Sequence, residues 1–337
     1  MLSVNAPYTD SPLRGLQNTL AALDSKATVT LHDGVDAVSA AALAAASDVA
    51  IVIVGDISLE GVDRSDLKLP LHDGVAQDGL VQAVAAANPR TIVVLKNGGP
   101  VLMPWLASVP AVLEVWYPGQ EDGNAVANVL FGVVNPSGKL PLTFPARERE
   151  AAAATTEQWP GVSRDGILTS TYSEGLQVGY RWYEAQRAEP LFAFGFGLSY
   201  TTFSYSKPSL SAATSDGDQP FSVRFWLHNS GSRPGAEVAQ VYASFPDAYG
   251  EPPKRLVGFQ KVFLNPGERK EVVITVDPAA SHHPLSFWNP KTRAWELMEG
   301  HVTLHLARSS RHVEASLALA VTKRVPPRKM PPSRPRP

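Results

Sequence analysis

Two hydrophobic periods divide the chain. In the first 145 residues the apolar positions come in runs without alternation: Val49 to Val54, Thr91 to Leu95 and Ala111 to Trp116. Runs of this length predict strands, and their lack of alternation predicts strands buried on both faces. Thr28 to Leu31 reads as a further short strand. Between the runs lie stretches with helical character. Asp36 to Ala46 is rich in Ala, the residue with the lowest helical cost. Asp78 to Ala87 places Leu80, Val81, Val84 and Ala85 at helical spacing and is closed by Asn88-Pro89. Val101 to Ala107 and Asn124 to Phe131 read as two more helices. Strand and helix in alternation predict an α/β fold, a mostly parallel sheet sandwiched by helices.

Beyond Tyr205 the period becomes two. Phe221, Val223, Phe225 and Leu227 alternate with Ser222, Arg224, Trp226 and His228. Val238–Ala243, Leu256–Phe263, Glu271–Val276, Arg293–Met298, His301–Ala307 and Val313–Val321 follow, separated by turn residues such as Asn265-Pro266-Gly267. Seven short strands at this spacing predict an all-β sandwich of the immunoglobulin or fibronectin III type. The expected organisation is an α/β domain over 1–200, a β-sandwich domain over 201–321 and a tail over 322–337. Within the first domain, 146–171 loses the pattern and reads as an excursion. The Gly- and aromatic-rich stretch 172–200 reads as an interdomain segment.

Composition narrows the classes. A chain of 337 residues, 44% hydrophobic, is long enough for two domains with real cores. No apolar run reaches the length that spans a bilayer, and Met1 to Asn5 lacks the order of a signal peptide. The absence of cysteine excludes disulfides, iron–sulfur clusters and thiolate zinc sites. It leaves localisation open. Net charge is −2, and the last seventeen residues contribute six Lys or Arg and no acid. That basic, Pro-rich end reads as a solvated tail. Neither a nucleic-acid nor a membrane partner is expected.

Candidate chemistry gathers after the first buried run, where Gly55 opens a polar stretch holding Asp56, Glu60, Asp63, Arg64 and Asp66. Open α/β sheets place their ligands on loops leaving the carboxyl ends of their strands. A carboxylate there serves as a general acid when its surroundings keep it protonated. On spacing alone a solvated loop carboxylate is the simpler reading of Glu60, with Asp63 and Arg64 paired to shape the loop. Glu121 and Asp122 follow a second strand end, where the helix dipole by itself explains acids. His282-His283 has no third ligand in view and reads as a turn pair, so no metal site is expected. No dinucleotide fingerprint, Walker A motif or Gly-x-Ser-x-Gly elbow occurs, and no cofactor is expected.

Ordered blocks of residues carry more than their spacing. Leu59-Glu60-Gly61-Val62-Asp63-Arg64, Asn97-Gly98-Gly99-Pro100, Trp116-Tyr117-Pro118-Gly119-Gln120-Glu121 and Asn135-Pro136-Ser137-Gly138-Lys139-Leu140-Pro141 occur in turn. Gly179-Tyr180-Arg181-Trp182-Tyr183, Phe194-Gly195-Phe196-Gly197-Leu198-Ser199-Tyr200 and Pro252-Pro253-Lys254-Arg255-Leu256-Val257-Gly258-Phe259 follow. Together they resemble glycoside hydrolase family 3 over roughly residues 8 to 320. The resemblance implies an α/β sandwich domain followed by a fibronectin-III-like domain. It also implies retaining hydrolysis of terminal, non-reducing β-D-glucosyl residues without a cofactor. In that family an N-terminal (β/α)₈ barrel supplies an aspartate nucleophile and the α/β domain supplies a glutamate acid/base. The matching glutamate is Glu60, with Asp63 and Arg64 as its supporting neighbours. The chain is expected to start partway into the α/β domain, without the barrel. The barrel, in cis or trans, is then an expected partner beside a β-glucoside or related oligosaccharide, and an exposed apolar face would favour a homo-oligomer. Three readings stay open: an acid/base domain working with a barrel, a self-sufficient hydrolase using Asp63, Asp56 or Glu121 as second acid, and a non-catalytic carbohydrate-binding or structural module.

Overall fold

The computed structural model describes residues 6–150 and 153–323. The basic tail from 324 onward lies outside the described residues. Two compact units are present: Met1–Gly175 with Ala188–Tyr200, and Leu176–Arg187 with Thr201–Pro337.

The first unit runs α1 (Pro12–Ala22), α2 (Ala37–Ala45), β1 (Ala50–Gly55), β2 (Leu71–His72), β3 (Val75–Ala76), α3 (Gln77–Ala87), β4 (Thr91–Lys96), β5 (Ala111–Glu114), α4 (Asp122–Leu130), β6 (Val162–Arg164) and β7 (Ile167–Thr169). Strands β1, β4 and β5 form one sheet in the order β1-β4-β5, all parallel, with Ala50 opposite Thr91 and Ile92 opposite Ala111. β2 with β3 and β6 with β7 form separate small hairpins. Caps fix the helix starts. The Ser11 side chain accepts the Arg14 N–H ahead of Pro12, and Asp36 accepts the N–H groups of Val38 and Ser39.

Central β4 is covered on both faces, with Val93, Val94 and Leu95 all fully buried. β1 is not. Its burial alternates: Ala50, Val52 and Val54 pack into the core with Val93 and Leu95, while Ile53 on the opposite face is exposed. Two other expectations also change. Thr28–Leu31 forms no strand, as it meets no ladder partner among the described residues. Val101–Ala107 yields only one 3₁₀ turn, Leu106–Ser108. Pro104 interrupts the helical donors, and the Leu102 N–H goes instead to the Leu67 carbonyl at 2.8 Å. Helix α1, which the pattern reading omitted, packs on α4 at a glycine contact. A Cβ on Gly15 would stand 2.0 Å from the Gly123 backbone.

The second unit holds α5 (Tyr180–Gln186), β8 (Phe203–Leu210), β9 (Thr214–Ser215), β10 (Phe221–Asn229), β11 (Gly235–Ser244), β12 (Arg255–Leu264), β13 (Arg269–Val276), β14 (Ser286–Asn289), β15 (Ala294–Leu297), β16 (Gly300–Ala307) and β17 (Val313–Val321). One sheet is β13-β10-β8 and the other β12-β11-β16-β17-β9. Phe221, Val223, Phe225 and Leu227 face the shared core with Val241, Leu264, Leu304 and Leu319, as the alternation predicts. The run Arg293–Met298 joins neither sheet. Its strand β15 pairs with β14 in a separate hairpin. α5 is tied to the sandwich by its polar side chains. Glu184 bridges Lys254 at 3.2 Å and Arg311 at 3.3 Å, and the Tyr180 hydroxyl accepts the Leu256 N–H at 2.9 Å.

Candidate functional site

The carboxyl ends of β1, β4 and β5 lie side by side, and each releases a loop carrying polar residues. The loop after β1 runs from Asp56 to Arg64. Its tip is the turn Leu59–Val62, in which the Val62 N–H reaches the Leu59 carbonyl at 3.4 Å. Gly61 takes φ of 77°, which its missing Cβ permits without strain. Glu60 sits at that tip and is exposed, and so is Asp63 just beyond it.

The feet of the loop are as fixed as the tip is open. The Asp56 carboxylate is buried, its side chain only 1% exposed, and it collects three partners. Arg64 Nη1 donates to Oδ2 at 2.9 Å, while the Gly98 N–H at 2.9 Å and the Tyr117 hydroxyl at 2.5 Å donate to Oδ1. Arg64 Nη2 also donates to the Pro100 carbonyl at 2.9 Å. The expected Asp63–Arg64 pair is therefore replaced by Asp56–Arg64. A buried carboxylate needs a cation and donors, and Arg64 supplies both, whereas the exposed Asp63 is satisfied by water.

Behind the loop, Gln77 seals the end of β1. Its Oε1 accepts the Gly55 N–H at 2.9 Å, and its Nε2 donates to the Gly55 and Pro70 carbonyls at 2.8 Å each. At the end of β5, Glu114 accepts the Trp116 N–H at 2.8 Å, and Trp116 adopts a φ of 54°. Burial is the main cause that pushes the Glu114 carboxyl up to about 7, with the negative charge of Asp56 adding to it. Glu114 Oε2 and Asn97 Oδ1 are both buried without a hydrogen-bond partner. Lys96 pairs with Asp122 at the start of α4. Glu121 accepts from the Tyr8 hydroxyl and from Asn124 Nδ2. These bonds hold its carboxyl below the usual carboxylate range.

Of the sequence candidates, the structure brings Glu60, Asp63, Arg64 and Asp56 into one loop and gives Glu121 bonds of its own at the start of α4. It adds Glu114 and Tyr117, whose signal was the same strand-end position applied to β5, and Gln77, the first residue of α3, which carried no such signal. His283 stacks on Trp295 with ring centroids 4.4 Å apart. Among the described residues no group of three or more His, Asp or Glu is arranged to hold a metal, and no helix is long and apolar enough to cross a membrane.

Comparison with known proteins agrees with this architecture. Residues 1–200 match the model of the glycosyl hydrolase family 3 C-terminal domain, and residues 237–310 match a fibronectin type III-like domain. Beta-glucosidase B of Emericella nidulans is 42% identical over 287 residues, covering 82% of this chain and 33% of the relative. Thermostable beta-glucosidase B of Acetivibrio thermocellus is 38% identical over 305 residues, covering 88% and 38%. Among solved structures, DesR, a beta-glucosidase from Streptomyces venezuelae crystallised with D-glucose, superposes with a TM-score of 0.78 at 42% identity. That match covers 85% of this chain and 35% of DesR. The beta-D-glucoside glucohydrolase of Trichoderma reesei gives 0.80 at 31% identity, over 95% and 46%. The chain thus spans about a third of the length of these two curated relatives, 33% and 38%. With its α/β unit and its β-sandwich both matched, the chain belongs to glycoside hydrolase family 3, of which it carries the C-terminal domain and a fibronectin III-like domain.

Proposed function

We propose that this chain supplies the acid/base half of a β-glucosidase-type retaining hydrolysis, with Glu60 as the proton donor. In the first step the Glu60 carboxylic acid protonates the departing glycosidic oxygen while a carboxylate nucleophile attacks the anomeric carbon. In the second, the Glu60 carboxylate takes a proton from the water that releases the sugar. The observation that carries this reading is an exposed carboxylate at the tip of a loop whose feet are pinned by a buried ion pair.

A retaining mechanism needs two carboxyl groups about 5–5.5 Å apart. Asp56 is consumed by Arg64, Gly98 and Tyr117, and Glu121 by Tyr8 and Asn124. Their engagement supports a nucleophile on a (β/α)₈ barrel, as the family resemblance implies, with a β-glucoside or related oligosaccharide as substrate. Exposed Ile57, Leu59 and Val62 flank Glu60, which fits a loop that docks on another body. In the absence of that body, the same residues would favour self-association.

The test joins this chain to a family 3 barrel and replaces Glu60 by Ala. Hydrolysis of alkyl glucosides, whose leaving groups need protonation, is expected to fall by about 10²–10⁴-fold. Activated aryl glucosides should lose far less, and azide should restore turnover as a β-glucosyl azide. Equal losses for both substrate types would refute the assignment. A 2-deoxy-2-fluoro glucoside that labels a carboxylate of the chain alone would favour the self-sufficient hydrolase instead. Sugar binding that survives Glu60→Gln, with no turnover in the parent, would favour the non-catalytic module.

A further inference from the structure

The Glu60 tip has little to hold it. Its turn is closed by the isolated Leu59–Val62 bridge with a long, 3.4 Å hydrogen bond, and a Cβ added to Gly61 would meet nothing within 4 Å. An acid/base group nevertheless works only when held within about 0.5 Å of its productive position. Something between the feet and the tip has to restrict the loop.

Tyr117 is placed to do so. It leaves the end of β5, the strand farthest from β1 in the sheet, and its hydroxyl reaches back to the β1 loop. That hydroxyl donates to Asp56 Oδ1 at 2.5 Å and accepts the Ser58 N–H at 3.1 Å, with Ser58 Oγ at 3.2 Å. One oxygen therefore ties the buried foot to the backbone two residues before Glu60. Its own position is fixed from behind. The Trp116 N–H is held by the Glu114 carboxylate at 2.8 Å, and Trp116 adopts the left-handed backbone that turns Tyr117 toward the loop. On the far side the Tyr117 ring packs against Gly98, where a Cβ would come within 2.9 Å of ring carbon Cε2 and 2.7 Å of Ser58 Oγ. A Cβ at position 98 would have to displace the Ser58 hydroxyl or the Tyr117 ring.

We infer that Tyr117 is the positioning residue of the Glu60 loop, holding the acid/base carboxylate in register through its hydroxyl bonds to Ser58 and Asp56. The inference rests on the reading of Glu60 given above. It adds a residue outside the acid/base loop to the machinery. Tyr117 acts through Ser58 and touches no reacting atom.

Two measurements test it. In the chain as it stands, Tyr117→Phe should speed hydrogen exchange of the Ser58 amide by about tenfold, the loss of one hydrogen bond. Exchange at Val93 to Leu95 should not change, which controls for global unfolding. In the barrel-joined enzyme, Tyr117→Phe should lower kcat/KM for an alkyl glucoside about tenfold more than for a 2,4-dinitrophenyl glucoside. A purely structural residue would depress both alike, and that result, or unchanged exchange at Ser58, overturns the inference. If Glu60→Ala itself fails to discriminate leaving groups, the reading of Glu60 falls instead, whatever the exchange experiment reports.

Discussion

Replacing Glu114 by Gln should stabilise the first unit, and only above acid pH. Glu114 closes β5 with its Oε2 buried and unpartnered and with Asn97 beside it. Burial raises its carboxyl from the ordinary 4.5 to about 7. The folded state therefore holds a proton that the unfolded chain releases between these two values. Its contribution is fully present below pH 4.5, declines as pH rises through 7, and is flat above that. Each pH unit of separation is worth about 1.4 kcal/mol, so ionised Glu114 costs the fold roughly 3 kcal/mol at pH 8 and above. Gln has the same shape and no charge to desolvate, and its amide can donate to the orphaned Asn97 oxygen. For a unit of this size, 3 kcal/mol corresponds to a rise in Tm of about 6–12 °C. Thermal unfolding of both proteins from pH 4 to 9, followed by the near-UV signal of the seven tryptophans, reads the difference. The curves should coincide near pH 4 and separate by pH 8. A gap that does not grow with pH would refute the argument, since of the two side chains only that of Glu114 can ionise.

Two further outcomes follow from contacts elsewhere. Gly15→Ala places a methyl group 2.0 Å from the Gly123 backbone. The α1–α4 contact must open, at a cost of about 3 kcal/mol or more, visible as a lower denaturant midpoint for the first unit alone. Glu184→Ala removes the carboxylate shared by Lys254 and Arg311. It leaves two largely covered cations without their shared carboxylate, and should cost the second unit about 2–4 kcal/mol in chemical unfolding, whereas Glu184→Gln should recover part of the loss.

Most of the architecture could be read from period alone, and the exceptions share a cause. Asp36–Ala46, Asp78–Ala87, Thr91–Leu95 and the alternating strand at Phe221 carry their structure in local spacing, and their ends fall within a residue or two of Ala37–Ala45, Gln77–Ala87, Thr91–Lys96 and Phe221–Asn229. Thr28–Leu31 and Val101–Ala107 had the right composition but no partner, or a proline in the wrong place. β8 was missed because Lys207-Pro208 disguises its alternation, although it pairs with β10 across a bulge. At the candidate site, the loop was legible from the strand end, and Glu60 stands out in it only through the family resemblance. The partner of Arg64 was not. Sequence neighbours suggested Asp63, but the deciding quantity was the burial of Asp56, which depends on Tyr117 and Gly98 arriving from strands 40 to 60 residues away.

That dependence bears on how such a site is built. As the proposed proton donor, Glu60 would have to meet solvent and a sugar, so its own surroundings offer few contacts with which to hold it. Rigidity must then be imported from the sheet, and the three parallel strand ends supply it. β1 contributes the buried Asp56, β4 contributes the Gly98 N–H and the room for close approach, and β5 contributes the Tyr117 hydroxyl. Each is a group that only the folded sheet brings within hydrogen-bond distance. A loop on a single strand end would expose its carboxylate equally well but would leave it free to swing. Three ends converging on one buried carboxylate reconcile an accessible acid with a fixed one, and their cost falls on the core: a desolvated carboxylate at Asp56, a second at Glu114 and a left-handed Trp116.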